Sequence, residues 1–240
     1  MELTQLEDTF VDIGGVFLTS AFDLRERMEK MKAIVFVWDG VFNSGHKDIT
    51  GGSSYSVVDT GGIDLLRFGF FLANKTMIKV AVMSDTDNSL CLQLGKKDHY
   101  DNVYLNGQDK ENVLRHFCNQ HDIHPDEIIY VYDEVADLKV AEQMGIRLAV
   151  GRLSSPIFVE YMERHKLADY ISTCQGNEHA VREMCELLLT LLDQHFNVID
   201  HKGKNEENYH DYLNRKALVE TATNKTAGVV KLESRVWNQF

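Results

Sequence analysis

No apolar stretch of the chain reaches the roughly 20 residues that a bilayer-spanning helix needs, which argues against a membrane-embedded role. The opening residues, MELTQLEDTF, lack the basic segment and apolar run of a secretory leader. Cysteine is sparse. Cys91, Cys118, Cys174 and Cys185 are widely and irregularly spaced, and no C-x-x-C pair exists. That argues against a zinc or disulfide framework and predicts reduced thiols in a cytoplasmic protein. Clustered cations are also missing. Lys and Arg number 25 against 37 Asp and Glu, a formal net charge of −12, and Lys96-Lys97 is only a short basic spot. Binding along a phosphate backbone needs a cationic stripe, so nucleic acid is not the expected partner. What remains, with 44% apolar and 26% charged residues in 240, is the composition of a globular domain with one sizeable core.

From Lys32 to about Leu192 short β-branched runs alternate with helical periodicity. Strands are expected at Ala33–Val37, Ile78–Met83, Asn102–Tyr104, Ile128–Tyr132, Arg147–Val150 and Asp169–Ile171. Helices are expected near Gly62–Ala73, Asn88–Leu94, Lys110–Gln120, Ala136–Met144, Ile157–Lys166 and Glu178–Gln194. Near-continuously apolar strands separated by helices predict a doubly wound α/β fold: a parallel sheet covered on both faces, with no large cap domain. The segment Asn43–Thr60, NSGHKDITGGSSYSVVDT, is long for a strand-to-helix loop and reads as a β-hairpin turned near Gly51-Gly52. A helix at Phe22–Lys30 with Ser20 and Asp23 at its start is expected in the N-terminal extension, residues 1–31. Residues 196–240 form a C-terminal extension, whose part from residue 201, HKGKNEENYHDY, is polar at first.

In open α/β sheets ligands bind beyond the carboxyl ends of the strands. The first such end delivers Val37, Trp38, Asp39 and Gly40; the second delivers Ser84, Asp85, Thr86 and Asp87. After the third, Lys110 opens a helix; the fourth delivers Asp133, Glu134 and, a turn later, Asp137. Each residue alone is ordinary, because Asp and Ser cap helices and Lys lies on surfaces. Their convergence on one edge is the signal. His116, His121 and His124 lie close in sequence but read as a solvated surface rather than a metal triad. The Gly51-Gly52 and Gly61-Gly62 pairs lack the strand–turn–helix context of a phosphate-cradling loop.

The order and spacing of these residues resemble the haloacid dehalogenase (HAD) superfamily of phosphatases. The resemblance is strongest to the 3-deoxy-D-manno-octulosonate 8-phosphate phosphatase group and to the phosphatase-like domain of some acylneuraminate cytidylyltransferases. It covers the domain at residues 32–195. The first motif reads Val37-Trp38-Asp39-Gly40-Val41 where the family has Asp-x-Asp-Gly-Val. Ser84 in VAVMSD, Lys110 in NGQDKENVL and Asp133-Glu134 with Asp137 in YVYDEVADLKVA match the other three. HAVREMCELLL is similar to the group's Ala-Val-Arg-Glu segment. The resemblance implies that Asp39 is a general acid and base, that Ser84 and Lys110 hold phosphoryl oxygens, and that Asp133 with Asp39 holds Mg²⁺. It implies a homotetramer through residues 43–60, and a small phosphorylated sugar as partner.

The sequence departs from this pattern where the first bond would form. Val37 occupies the nucleophile position and has no lone pair for phosphorus or for a metal. Asp85-Thr86 follow Ser84 where the group has Gly-Arg, and QGNEHAVRE replaces a glycine pair. Two expectations follow: a non-catalytic oligomeric or sugar-phosphate-binding protein of acidic-sugar metabolism, with Mg²⁺ affinity weakened or lost, or a Mg²⁺-dependent phosphatase rescued by another carboxylate. Asp12, in FVDIGGVFLT, is the rival nucleophile to test.

Overall fold

The computed structural model describes residues 2–47 and 53–225. Its strands are β1 (Val16–Phe17), β2 (Ala33–Val37), β3 (Lys79–Met83), β4 (Asn102–Leu105), β5 (Ile128–Tyr132), β6 (Ile146–Ala149), β7 (Tyr170–Ile171) and β8 (Ala222–Lys225). They form one sheet in the order β1-β7-β6-β5-β2-β3-β4-β8, parallel throughout except where β1 runs against β7. β2 and β5 are buried at every position, which is why they read as unbroken apolar runs rather than alternating ones.

The chain steps outward from β2 through β3 to β4, then returns and steps the other way from β5 through β6 to β7. The reversal falls between β2 and β5, the adjacent central strands. At such a switch point the connections diverge and leave a crevice beyond the strands' carboxyl ends. Val37, Asp39 and Asp133 stand at that crevice by topology alone.

The helices are α1 (Leu3–Asp12), α2 (Ala21–Met28), α3 (Val57–Asn74), α4 (Ser89–Lys97), α5 (Lys110–His121), α6 (Leu138–Ala141), α7 (Pro156–His165), α8 (Ala180–Leu191), α9 (His195–Gly203) and α10 (Glu207–Ala217). α3 packs on α8, α9 and α10, and α8 also meets α1 and α2. Ser20 caps α2 as its sequence predicts, its Oγ accepting the Asp23 amide at 3.1 Å. All four cysteines are free thiols, three of them buried. Among the described residues no helix is long and apolar enough to cross a membrane.

Three expectations need correction. The helix placed at Gly62–Ala73 starts at Val57, because Ser56 caps it by accepting the Val58 amide. Val57–Thr60 are therefore helical rather than the return limb of a hairpin. Residues 43–47 and 53–56 carry no strand, and the turn at Gly51-Gly52 lies outside the described residues. The helix expected at Ala136–Met144 is a 3-10 turn at Val135–Asp137 followed by the single turn α6. Beyond residue 195, α9, α10 and β8 join the main body: Val198 and Tyr212 are fully buried, and β8 extends the sheet beside β4.

Candidate functional site

β2 ends on Val37, whose backbone pairs with Met83 of β3 and whose side chain is 5% exposed. The next turn is held tightly. The Trp38 amide donates to Met83 O at 2.8 Å, its ring stacks on Phe42, and its Nε1–H donates to Ser53 Oγ at 2.6 Å. Gly40 adopts φ +78°, where a side chain would be strained, and Asn43 Oδ1 closes the turn by accepting the Gly45 amide. This turn presents Asp39, whose Oδ2 pairs with Lys47 Nζ at 2.9 Å. Its Oδ1 is buried without a donor from the protein.

Ser84 sits at the end of β3, fully buried, with its amide donating to Tyr104 O at 2.9 Å. Its Oγ is engaged locally by the Thr86 amide at 3.3 Å. The side chain thus faces its own turn. Lys110, 6% exposed at the first position of α5, donates from Nζ to Asp137 Oδ1 at 2.6 Å; Tyr130 OH donates to the same oxygen at 2.7 Å. Burial raises the Asp137 pKa, and Lys110 and the Tyr130 hydroxyl only partly oppose it. A shallow depression of about 560 Å³ lies beside Lys110, lined also by Asp85, Gln108, Ala136 and Lys139.

Asp133 ends β5. Its Oδ2 pairs closely with Arg152 Nη2, and Arg152 Nη1 lies 3.8 Å from Glu134 Oε2. Burial pushes the Asp133 carboxyl up; Arg152 pulls it back, while Asp137 and Glu134 add negative charge, and the balance is a pKa of about 7. Burial thus outweighs the guanidinium in setting the direction of the shift.

The structure thus gathers Asp39, Ser84, Lys110 and Asp133 at one edge, with Val37 at its centre. It does not bring Asp12 there. That residue is the exposed end of α1, and three strands separate β1 from β2. Arg152 and Lys47 are not among the residues the sequence points to, although the strand-end pattern continued to β6 contains Gly151-Arg152.

Glu183, in the Ala-Val-Arg-Glu segment, accepts from Tyr170 OH at 2.5 Å and from the Thr173 and Cys174 amides at 2.9 and 2.7 Å. It fixes the loop that carries Gly176. A Cβ on Gly176 would lie 2.3 Å from both Gly40 O and Asn43 O, so this loop packs directly on the first-motif turn.

No protein-family model matches the chain. It is 25% identical over 177 residues to the 3-deoxy-D-manno-octulosonate 8-phosphate phosphatase KdsC of Escherichia coli, across 70% of this chain and 84% of that one. Among solved structures it is similar to a protein from Pseudomonas syringae described as a probable YrbI family phosphatase, with TM-score 0.62 and 25% identity over 77% of this chain and 98% of that one. These likenesses support the HAD superfamily, in its KdsC-like phosphatase family. The fold is shared further with the 3-deoxy-D-manno-octulosonate 8-phosphate phosphatase of Moraxella catarrhalis, solved with magnesium, phosphate and KDO. There the TM-score is 0.61 and the identity 21%, over 74% of this chain and 97% of that one.

The residues present do not fit the divalent ion that KdsC-like relatives suggest. Val37 offers no ligand. Asp133 is engaged by Arg152. Among the described residues, no group of three or more His, Cys, Asp or Glu side chains is arranged to hold a metal. Asp39 Oδ1, Asp85 Oδ1 and Asp137 Oδ2 are buried without protein donors, but they belong to three different strand ends and do not make such a group.

Proposed function

We propose that this protein is a KdsC-like member of the HAD superfamily that does not hydrolyse phosphomonoesters by the aspartyl-phosphate route. Its role is that of an oligomeric or sugar-phosphate-binding protein in acidic-sugar metabolism, in a reducing cytoplasmic compartment. The observation that carries this reading is Val37. It sits at the carboxyl end of the central strand, at the switch point, where a carboxylate would have to attack phosphorus. A hydrocarbon side chain cannot form that bond, and covalent catalysis of this kind has no other first step. The charge balance agrees. Asp39, Asp85, Asp133, Glu134 and Asp137 line the edge against Lys47, Lys110 and Arg152. A site poorer in cations than in carboxylates gives little stabilisation to a transferring phosphoryl group. Exposed Val57 and Val58, which follow the segment at residues 43–56, support assembly through residues 43–60; sedimentation giving a monomer would remove that part.

A second reading has specific support. Asp39, Lys110 and Asp133 keep the acid/base, lysine and fourth-motif positions, so a phosphatase for a small phosphorylated sugar acid would retain these three and need another carboxylate as its nucleophile. Phosphate release from a panel of phosphosugars with Mg²⁺ separates the two. The unaltered protein should give no turnover above background. Turnover by the unaltered protein that Asp133→Asn abolishes would establish the second reading instead.

A further inference from the structure

The Arg152–Asp133 pair lies over the Asp39–Gly40 turn itself. A Cβ on Gly40 would stand 1.7 Å from Asp133 Oδ2 and 2.7 Å from Arg152 Nη2. The guanidinium, 27% exposed, reaches from the end of β6 across the β5 end and touches both acidic residues there, Asp133 and Glu134. Only glycine at position 40 leaves room for this arrangement. A guanidinium stays protonated at any physiological pH and fits carboxylates through a planar fork of N–H donors.

We propose that Arg152 is a built-in cation that replaces a divalent metal at this site, and that it closes the site to metal. Charge arithmetic supports the exchange. A carboxylate at position 37 with a bound divalent ion would sum to +1, from −1 and +2. Val37 with Arg152 also sums to +1. Asp133 and its neighbours therefore meet the same net charge, without an exchangeable ion. Losing the carboxylate and the metal alone would have left the Asp133 end of the site without a cation. Losing the carboxylate while gaining an arginine does not.

This inference rests on placing the family's site at this edge, but not on the absence of turnover. Its test therefore needs no substrate. Mn²⁺ shares the oxygen-ligand preference of Mg²⁺ and is read directly by electron paramagnetic resonance. The proteins to titrate are the parent, Val37→Asp, Arg152→Gln and the Val37→Asp/Arg152→Gln pair, each with and without Asp133→Asn, with thermal melts to establish folding. The parent and Val37→Asp should show no Mn²⁺ site that depends on Asp133. The double variant should gain one, at least about tenfold tighter and abolished by Asp133→Asn. Arg152→Lys, which keeps the charge, should bind Mn²⁺ no better than the parent, with or without Val37→Asp. It also provides the test if removal of the charge prevents folding. An Asp133-dependent site in the parent would overturn the proposal. So would equal affinity in Val37→Asp and the double variant, a double variant that binds no tighter than the parent, or a gain in Arg152→Lys.

Discussion

Replacing Lys110 by Met tests whether the lysine of this edge is held mainly by a buried ion pair. Lys110 is 6% exposed and Asp137 fully buried, with Nζ and Oδ1 at 2.6 Å. Removing the lysine leaves Asp137 with only the Tyr130 hydroxyl as a donor. Breaking a buried pair from one side costs about 3–5 kcal/mol, because the remaining charge is left uncompensated. For a chain of this size that corresponds to a fall in Tm of about 6–20 °C. The pH dependence follows from the sign of the Asp137 shift. Burial holds its pKa above the ordinary carboxylate range even with Lys110 present. An acid with a raised folded pKa contributes stability below its unfolded pKa, and that contribution is lost as pH rises through the folded value. Lys110→Met raises the folded value further. The penalty should therefore be small near pH 4 and grow toward pH 8. Urea denaturation at pH 5 and pH 8 measures it, and Lys110→Met/Asp137→Asn, which removes both charges, should recover most of the loss. A Lys110→Met protein within about 0.5 kcal/mol of the parent at pH 8 would refute the reasoning, as would a larger loss at pH 5.

The other predictions concern the scaffold. Burial acts to raise the Asp64 carboxyl, but Lys216 and Lys202 outweigh it and bring the pKa to about 2. Its stabilisation, about 2 kcal/mol, is present above pH 4 and lost as pH falls through 2, so Asp64→Asn should flatten the acid limb of the stability curve. Glu183→Gln leaves two amides and a tyrosine hydroxyl sharing one neutral acceptor and should cost about 2 kcal/mol in chemical denaturation; a loss within error would dissociate Glu183 from the loop it holds. Gly40→Ala adds left-handed strain of about 1–2 kcal/mol to a direct collision with Asp133. It should unfold the first-motif turn, seen as increased hydrogen exchange at residues 38–45; unchanged exchange there would contradict the packing.

The central sheet was legible because its signal is composition. AIVFV and IIYVY are buried at every position, and nothing competes with that reading. The edges were not legible, for a different reason. β1 has two residues, and β8 reads Ala-Thr-Asn-Lys, half exposed; both become strands only because a finished neighbour offers unpaired backbone groups. The helix α3 begins early because a serine cap outranked the weak helix propensity of Val57 and Val58.

The site divides along the same line. Asp39, Ser84, Lys110 and Asp133 lie just beyond strand ends, so a one-dimensional reading could order them, and the switch point between β2 and β5 explains why they meet. What a one-dimensional reading could not supply was the pairing within the edge. Lys110 could equally have served a phosphate; its commitment to Asp137 depends on Tyr130 fixing the shared oxygen from the strand below. Arg152 stands just beyond the end of β6, so its place at the edge is legible, but nothing in LAVGRL says which carboxylate it pairs with. Its meaning comes from Gly40, more than a hundred residues earlier, whose missing side chain leaves the space through which the guanidinium reaches Asp133. Val37 is visible in sequence as a single residue. Arg152, proposed above as its counterweight, lies on another strand, and only the fold places the two at one edge.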